Sequence, residues 1–130
     1  MIWTALSTWA ALILYAVMGA NVARARGRYG VPAPAVHGDP AFERVFRVQQ
    51  NTLEQLVLFL PALWLFGRFV SDGWAAVLAA VWLFGRAFYA KSYYADAAKR
   101  GPGFGIAGAA TIVLLIGSIA GIVYSMLGDG

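Results

Sequence analysis

The stretch FERVFRVQQNTLEQLVLFLPALWLFGRF, residues 42–69, decides how this chain folds. It reads as one helix whose first half is polar and whose second half, Leu56 to Phe66, is apolar. At about 1.5 Å per residue such a helix is longer than the hydrocarbon core of a bilayer, about 30 Å thick. The apolar half therefore belongs in lipid and the polar half projects toward an interface. Arg47, Asn51 and Glu54 are spaced i, i+4, i+7 and share one helical face. Charges on a membrane helix are costly, face the protein interior or a wet cavity, and mark a site. Asp39 suits the cap that starts this helix and Pro40 its first turn. Pro61 removes the backbone bond to Val57 and predicts a kink.

Working outward, three more segments have the length and apolarity of membrane spans: about residues 2–23, 74–98 and 104–127. The sequence predicts a single all-α domain over residues 1–130, an integral membrane four-helix bundle. Composition agrees: of 130 residues 61% are hydrophobic and 12% charged, too few to coat a soluble domain. The first span lacks the basic start of a cleaved signal, and Arg24, Arg26 and Arg28 follow it, so it reads as retained. Residues 27–40 are rich in Gly and Pro and read as a loop, with His37 inside it. Val70 to Gly73 is a tight connection, and Gly101-Pro102-Gly103 ends the third helix. Gly117 and Gly121 form a GxxxG pattern that suits close packing within the chain.

Basic residues cluster at the first connection (Arg24, Arg26, Arg28, Arg44, Arg47) and the third (Lys91, Lys99, Arg100). The second carries only Arg68, opposed by Asp72. The positive-inside rule puts connections one and three in the cytoplasm and both termini opposite. The net charge of +4 is thereby a matter of topology; no basic stripe interleaved with aromatics points to nucleic acid. With no cysteine, disulfides, thiolate metal sites and a Cys nucleophile are excluded, and His37 has no second ligand that would make a metal site.

A second polar stripe lies on the third helix: Arg86, Tyr89, Tyr93 and Arg100, at i, i+3, i+7 and i+14. Pairs such as Glu54 with Arg86, or Glu43 with Arg47, would neutralise each other. They leave surplus cations, and arginine grips carboxylates in bidentate fashion. The two stripes predict a pocket for an anionic ligand, with Glu54 left to hold an ammonium. Tyr15, Tyr29 and Tyr124 read as an interfacial aromatic belt. Helix two also bears Arg44, Gln49, Gln50 and Gln55 off the main stripe, more polarity than one bundle can shelter, which predicts a homotrimer with helix two near its axis.

The run Phe42 to Glu54 resembles the signature of the MAPEG family, the membrane-associated proteins of eicosanoid and glutathione metabolism. Gly85-Arg-Ala-Phe-Tyr89-Ala-Lys-Ser-Tyr93, followed by Ala97-Ala-Lys-Arg100, is similar to the family's third-helix pattern. The resemblance covers essentially the whole chain and is nearest to the branch of microsomal glutathione transferase type two and leukotriene-C synthase. It implies a homotrimer with glutathione as co-substrate, bound between neighbours near the cytosolic face. It implies that Arg47, Asn51, Glu54, Tyr89, Tyr93 and Arg100 serve one subunit's site, to which the polar stripe adds Arg86 as a ligand-binding candidate, that Arg26 and Gln49 come from the adjacent one, and that Arg100 stabilises the glutathione thiolate. The implied activity is glutathione transfer to lipophilic electrophiles, in detoxification, or reduction of lipid hydroperoxides, with no metal. The alternative is a non-catalytic, lipid-binding scaffold of the same family. Gln55 departs from an aromatic residue common beside the glutamate, and Gly27 from a second arginine found in the leukotriene synthase branch. A small four-span multidrug transporter is disfavoured because the first span has no carboxylate.

Overall fold

The computed structural model describes residues 1–128. They form four helices: α1 (Ile2–Tyr29), α2 (Pro40–Phe69), α3 (Asp72–Ala95) and α4 (Gly101–Gly128), with one 3-10 turn, Ala97–Lys99, between α3 and α4. Four helical segments are long and apolar enough to cross a membrane. Large apolar side chains such as Val57, Phe84 and Ile116, each more than 60% exposed, give the bundle an outer surface suited to lipid.

Four boundaries differ from the sequence reading. α3 begins at Asp72, two residues before Trp74, because Ser71 caps it by accepting from Trp74 N. α1 does not end near Ala23; it continues through Arg24, Arg26 and Arg28, because Ala and Arg are good helix formers, and stops where Gly30 takes a left-handed φ of 66°. α3 ends at Ala95, three residues early, where extended Asp96 breaks it and caps the 3-10 turn through Ala98 N. Gly101-Pro102-Gly103 belongs to the first turn of α4, where a proline costs no hydrogen bond. α2 matches its starting signals: Asp39 accepts from Ala41 N, Pro40 is first in the helix, and the helix runs unbroken through Pro61.

α2 and α3 each pack against all three other helices, so the two helices with polar stripes are the central pair. The Phe59 and Trp82 rings stack 4.0 Å apart in the core between them. Small residues let α3 and α4 come close. A Cβ on Gly103 would run into the backbone of Tyr89, and one on Gly85 into the backbone of Ala107. Gly117 and Gly121 meet the Phe66 ring and the Phe69 carbonyl, so the GxxxG pair packs α4 on α2 of the same chain. At the opposite end Asp72 accepts from Trp3 N, Thr4 N and Thr4 Oγ1, satisfying donors that α1 leaves open.

The start of α4 is thus seated directly under Tyr89. Gly103→Ala is expected to destabilise the fold by about 1–3 kcal/mol, because a backbone rather than a flexible side chain must yield. Thermal unfolding in detergent measures it; the exposed and unobstructed Gly105→Ala serves as reference and is expected to be neutral or better.

Candidate functional site

One cavity of about 470 Å³ lies where the polar half of α2 faces the end of α3, within the size range of small-molecule sites. From α2 it is lined by Arg47, Asn51 and Glu54, from α3 by Tyr89 and Tyr93, and from the turn beyond α3 by Arg100. Six of the nine residues singled out from the sequence therefore meet at one place.

Arg86 does not line the cavity. It is fully buried beneath it, 0% exposed. One of its terminal nitrogens donates to Asn51 Oδ1 (2.8 Å) and Thr52 Oγ1 (2.7 Å), and its guanidinium lies 4.2 Å from the Tyr89 ring centre. Its Nε and other terminal nitrogen have no partner. Arginine only donates, so the Asn51 atom facing it must be the carbonyl oxygen, and the amide N–H groups are left for the cavity. Arg86 thus acts on two cavity residues without reaching a ligand. The expected pairs are not formed: among the described residues the only side-chain ion pair within 4.0 Å at this end is His37 with Glu43, at 3.7 Å. Arg47 and Arg100 share the cavity lining with a single carboxylate, Glu54, and among the described residues neither they nor the buried Arg86 has an ion-pair partner within 4.0 Å.

Arg100 reaches the cavity by a route that helical spacing does not describe. Because α3 stops at Ala95, Arg100 sits at the end of the 3-10 turn, donates to Ala97 O (2.8 Å), and lies 5.9 Å from the Tyr93 ring centre. Its own carbonyl accepts from Phe104 N, so it stands at the first turn of α4, the positive end of that helix.

Arg26 and Gln49 are not at this cavity. Arg26 donates to Val31 O and Ala35 O and packs over Phe42, fastening the α1–α2 loop, while Gln49 faces Gly19 of α1. Val36, His37, Phe46 and Gln50 also line the cavity and were not expected. Gln50 was placed off the stripe, yet at i+3 from Arg47 it belongs to the same face. Phe46 is one turn before Gln50. Nothing in the sequence brings Val36 and His37 to the rim, since the path of the loop does so.

Two arginines, a carboxylate, an amide donor and two phenols around one opening, with a third guanidinium buried beneath, can hold a flexible molecule with carboxylates, amides and one ammonium. A family model described as the MAPEG family matches residues 4–120 of the chain. An uncharacterized protein of Synechocystis is 48% identical over 126 residues, 97% of this chain and 92% of its own length. Microsomal glutathione S-transferase 2 of Homo sapiens is 39% identical over 110 residues, 84% of this chain and 74% of its own length. Leukotriene C4 synthase of Mus musculus is 37% identical over 93 residues, 72% of this chain and 62% of its own length.

Proposed function

The chain belongs to the MAPEG family, and on that premise we propose that it is a membrane-bound glutathione transferase with peroxidase capacity. The observation that carries this reading is the cavity in which Arg47, Asn51, Glu54, Tyr89, Tyr93 and Arg100 converge with an excess of positive charge. Glutathione has two carboxylates, one ammonium and two amides. Arg47 is the donor for a carboxylate, Glu54 takes the ammonium, and Asn51 offers N–H groups to a carbonyl. Tyr89 and Tyr93 form the wall. The relatives named as glutathione transferases and a leukotriene C4 synthase support the choice of co-substrate.

The chemistry follows from the thiol. A free thiol has a pKa of about 8.5, and only the thiolate attacks. Arg100 favours the thiolate by its charge; it is no base, so the proton goes to water. The sulfur lone pair then forms a bond to an electrophilic carbon, and a leaving group departs or a ring oxygen opens. With a hydroperoxide the sulfur attacks the peroxide oxygen, water and an alcohol form, and a second glutathione completes the disulfide. Apolar helix surfaces beside the cavity suit a lipophilic partner arriving from the bilayer.

The proposal includes a homotrimer with α2 near its axis, so that Arg26 and Gln49 of one subunit approach the cavity of the next. It also includes a cytoplasmic site with both termini opposite, following the basic residues of the first and third connections. Native mass spectrometry in mild detergent tests the assembly, and a monomer alone would remove it. Ultraviolet absorbance of a thiolate on adding glutathione to purified protein tests the central step. No thiolate signal and no glutathione-dependent rate with varied electrophiles and hydroperoxides would leave the scaffold reading.

Glu54 separates ligand binding from folding. It is exposed and has no ion-pair partner among the described residues. Glu54→Gln keeps its size and removes the charge an ammonium needs. Glutathione affinity is expected to fall by about 1.5–3 kcal/mol, the scale of a hydrogen bond to a charged group. Calorimetry on the folded variant reads it, and wild-type affinity would take Glu54 out of the site.

A further inference from the structure

On another face of α3 from the glutathione cavity, sharing none of its lining residues, lies an amphipathic crevice. Its lower part, about 550 Å³, is walled by apolar side chains including Leu14, Val17 and Met18 of α1 and Ala87 and Ala90 of α3. Its upper part, about 360 Å³, is bounded by Arg24, Arg28 and Arg44. Asn21 and Tyr94 border both parts and join them.

The junction is an ordered polar network. Arg24 donates to Asn21 Oδ1 (3.1 Å), and Asn21 Nδ2 donates to the Tyr94 hydroxyl (3.3 Å). Arg44 Nε donates to the Tyr94 carbonyl (3.1 Å). With its oxygen already accepting, the Tyr94 hydroxyl has its own proton to give. Lys91 borders the lower part, one helical turn before the position level with Tyr94. No carboxylate lines either part, and among the described residues none lies within 4.0 Å of Arg24, Arg28, Arg44 or Lys91. Arg24 and Arg28 are one turn apart on α1, and Arg26 between them points the other way, into the α1–α2 loop.

We propose that this crevice is a binding site for an anionic glycerophospholipid, with an acyl chain between α1 and α3 and the phosphate among Arg24, Arg28, Arg44 and Lys91. Cations without counter-charges above a lipid-level apolar cleft match the two ends of such a molecule, and basic pockets between membrane helices are suited to acidic head groups. A free phosphate would use the upper part alone and leave the apolar cleft unexplained. A zwitterionic lipid would bring its own cation against four others. The lipid would tie α1 to α3 through Tyr94, at the end of the helix that carries Tyr89 and Tyr93.

The test uses the full chain purified in mild detergent, with native mass spectrometry after adding phosphatidylglycerol or phosphatidylcholine of the same acyl chains. Phosphatidylglycerol is expected to be retained about tenfold better, and the preference to disappear in the double variant Arg24→Gln, Lys91→Gln. Both positions are exposed, so the fold is not at stake. Val17→Trp, which fills the apolar cleft, should lower retention of either lipid. Arg68→Gln, at the opposite end of α2, should change nothing. Equal retention of the two lipids, or an undiminished preference in the double variant, would overturn the proposal. So would thermal stabilisation by inorganic phosphate alone equal to that by phosphatidylglycerol, which would show a free-anion site. None of these readouts depends on glutathione.

Discussion

Arg100→Ala is expected to cut glutathione-dependent turnover at neutral pH by on the order of a hundredfold, while glutathione affinity changes only a few fold; removing one charge-stabilising donor from an active site costs this much. The direction with pH is the sharper expectation. If Arg100 stands beside the sulfur as proposed, its guanidinium should hold the thiol below its free pKa, and the wild-type rate should already be near its plateau at pH 7. In Arg100→Ala the thiol returns toward about 8.5, and the rate climbs as pH passes that value. Arg100→Lys should fall between, since a compact charge still favours the thiolate but lacks the planar fork. Arg100 is exposed, and within the chain its side chain gives one hydrogen bond, to Ala97 O, and rests near the Tyr93 ring. Its loss should therefore leave the fold intact. A pH–rate profile with a generic aromatic electrophile reads all three proteins. Equal neutral-pH rates would exclude Arg100 from the chemistry.

The placement of Arg100 shows where sequence reading stopped. Its distance from Arg86, counted along one continuous α3, put it on the right face for the wrong reason. Asp96 breaks the helix, and a 3-10 turn carries Arg100 back to Tyr93. Local chemistry at Asp96, a capping residue, was the available signal. Hydrophobic length and charge flanks were enough for four membrane-sized helices, since about 20 apolar residues have few other uses. Helical periodicity was enough to align Arg47, Asn51 and Glu54, because a face is a property of spacing alone. Depth is not. Whether a residue on that face meets ligand or packing depends on how closely the neighbouring helix approaches. Here Gly85 and Gly103 let α4 press against α3, and Arg86 sinks to the level of Thr52, below the cavity floor. Loop residues such as His37 are positioned by chain path, which has no period to read.

The buried Arg86 leads to the second large effect, in which stability and binding part company. Arg86→Met is expected to leave stability within about 2 kcal/mol of wild type, in either direction, while glutathione affinity drops at least about tenfold, or 1.4 kcal/mol. Removing a buried residue with a full set of partners is ordinarily ruinous. Arg86, however, is a fully desolvated cation with no carboxylate within 4.0 Å among the described residues, and two of its nitrogens have no acceptor. Such a charge opposes folding, and methionine fills a similar space without it. The offsetting loss is that Asn51 Oδ1 and Thr52 Oγ1 are left without their donor. Thr52 can turn to bond a carbonyl of its own helix. Asn51 can turn too, and that is the cost to binding: its N–H groups are then no longer fixed toward the cavity, and the Tyr89 ring loses the cation beneath it. On the proposed function, a glutathione carboxylate in the cavity would also offset part of the buried charge at a distance, without touching the arginine. Saturating glutathione should therefore raise the unfolding temperature of the wild type more than that of Arg86→Met, even after matching fractional occupancy, because only the wild type has a buried charge to relieve. Calorimetry and thermal unfolding, each with and without glutathione, measure the four quantities. A variant that loses more than about 4 kcal/mol of stability yet binds glutathione like wild type would make Arg86 a packing residue. A variant that keeps its stability and loses its ligand would show that an uncompensated charge is retained in this bundle for what it does to Asn51 and Tyr89.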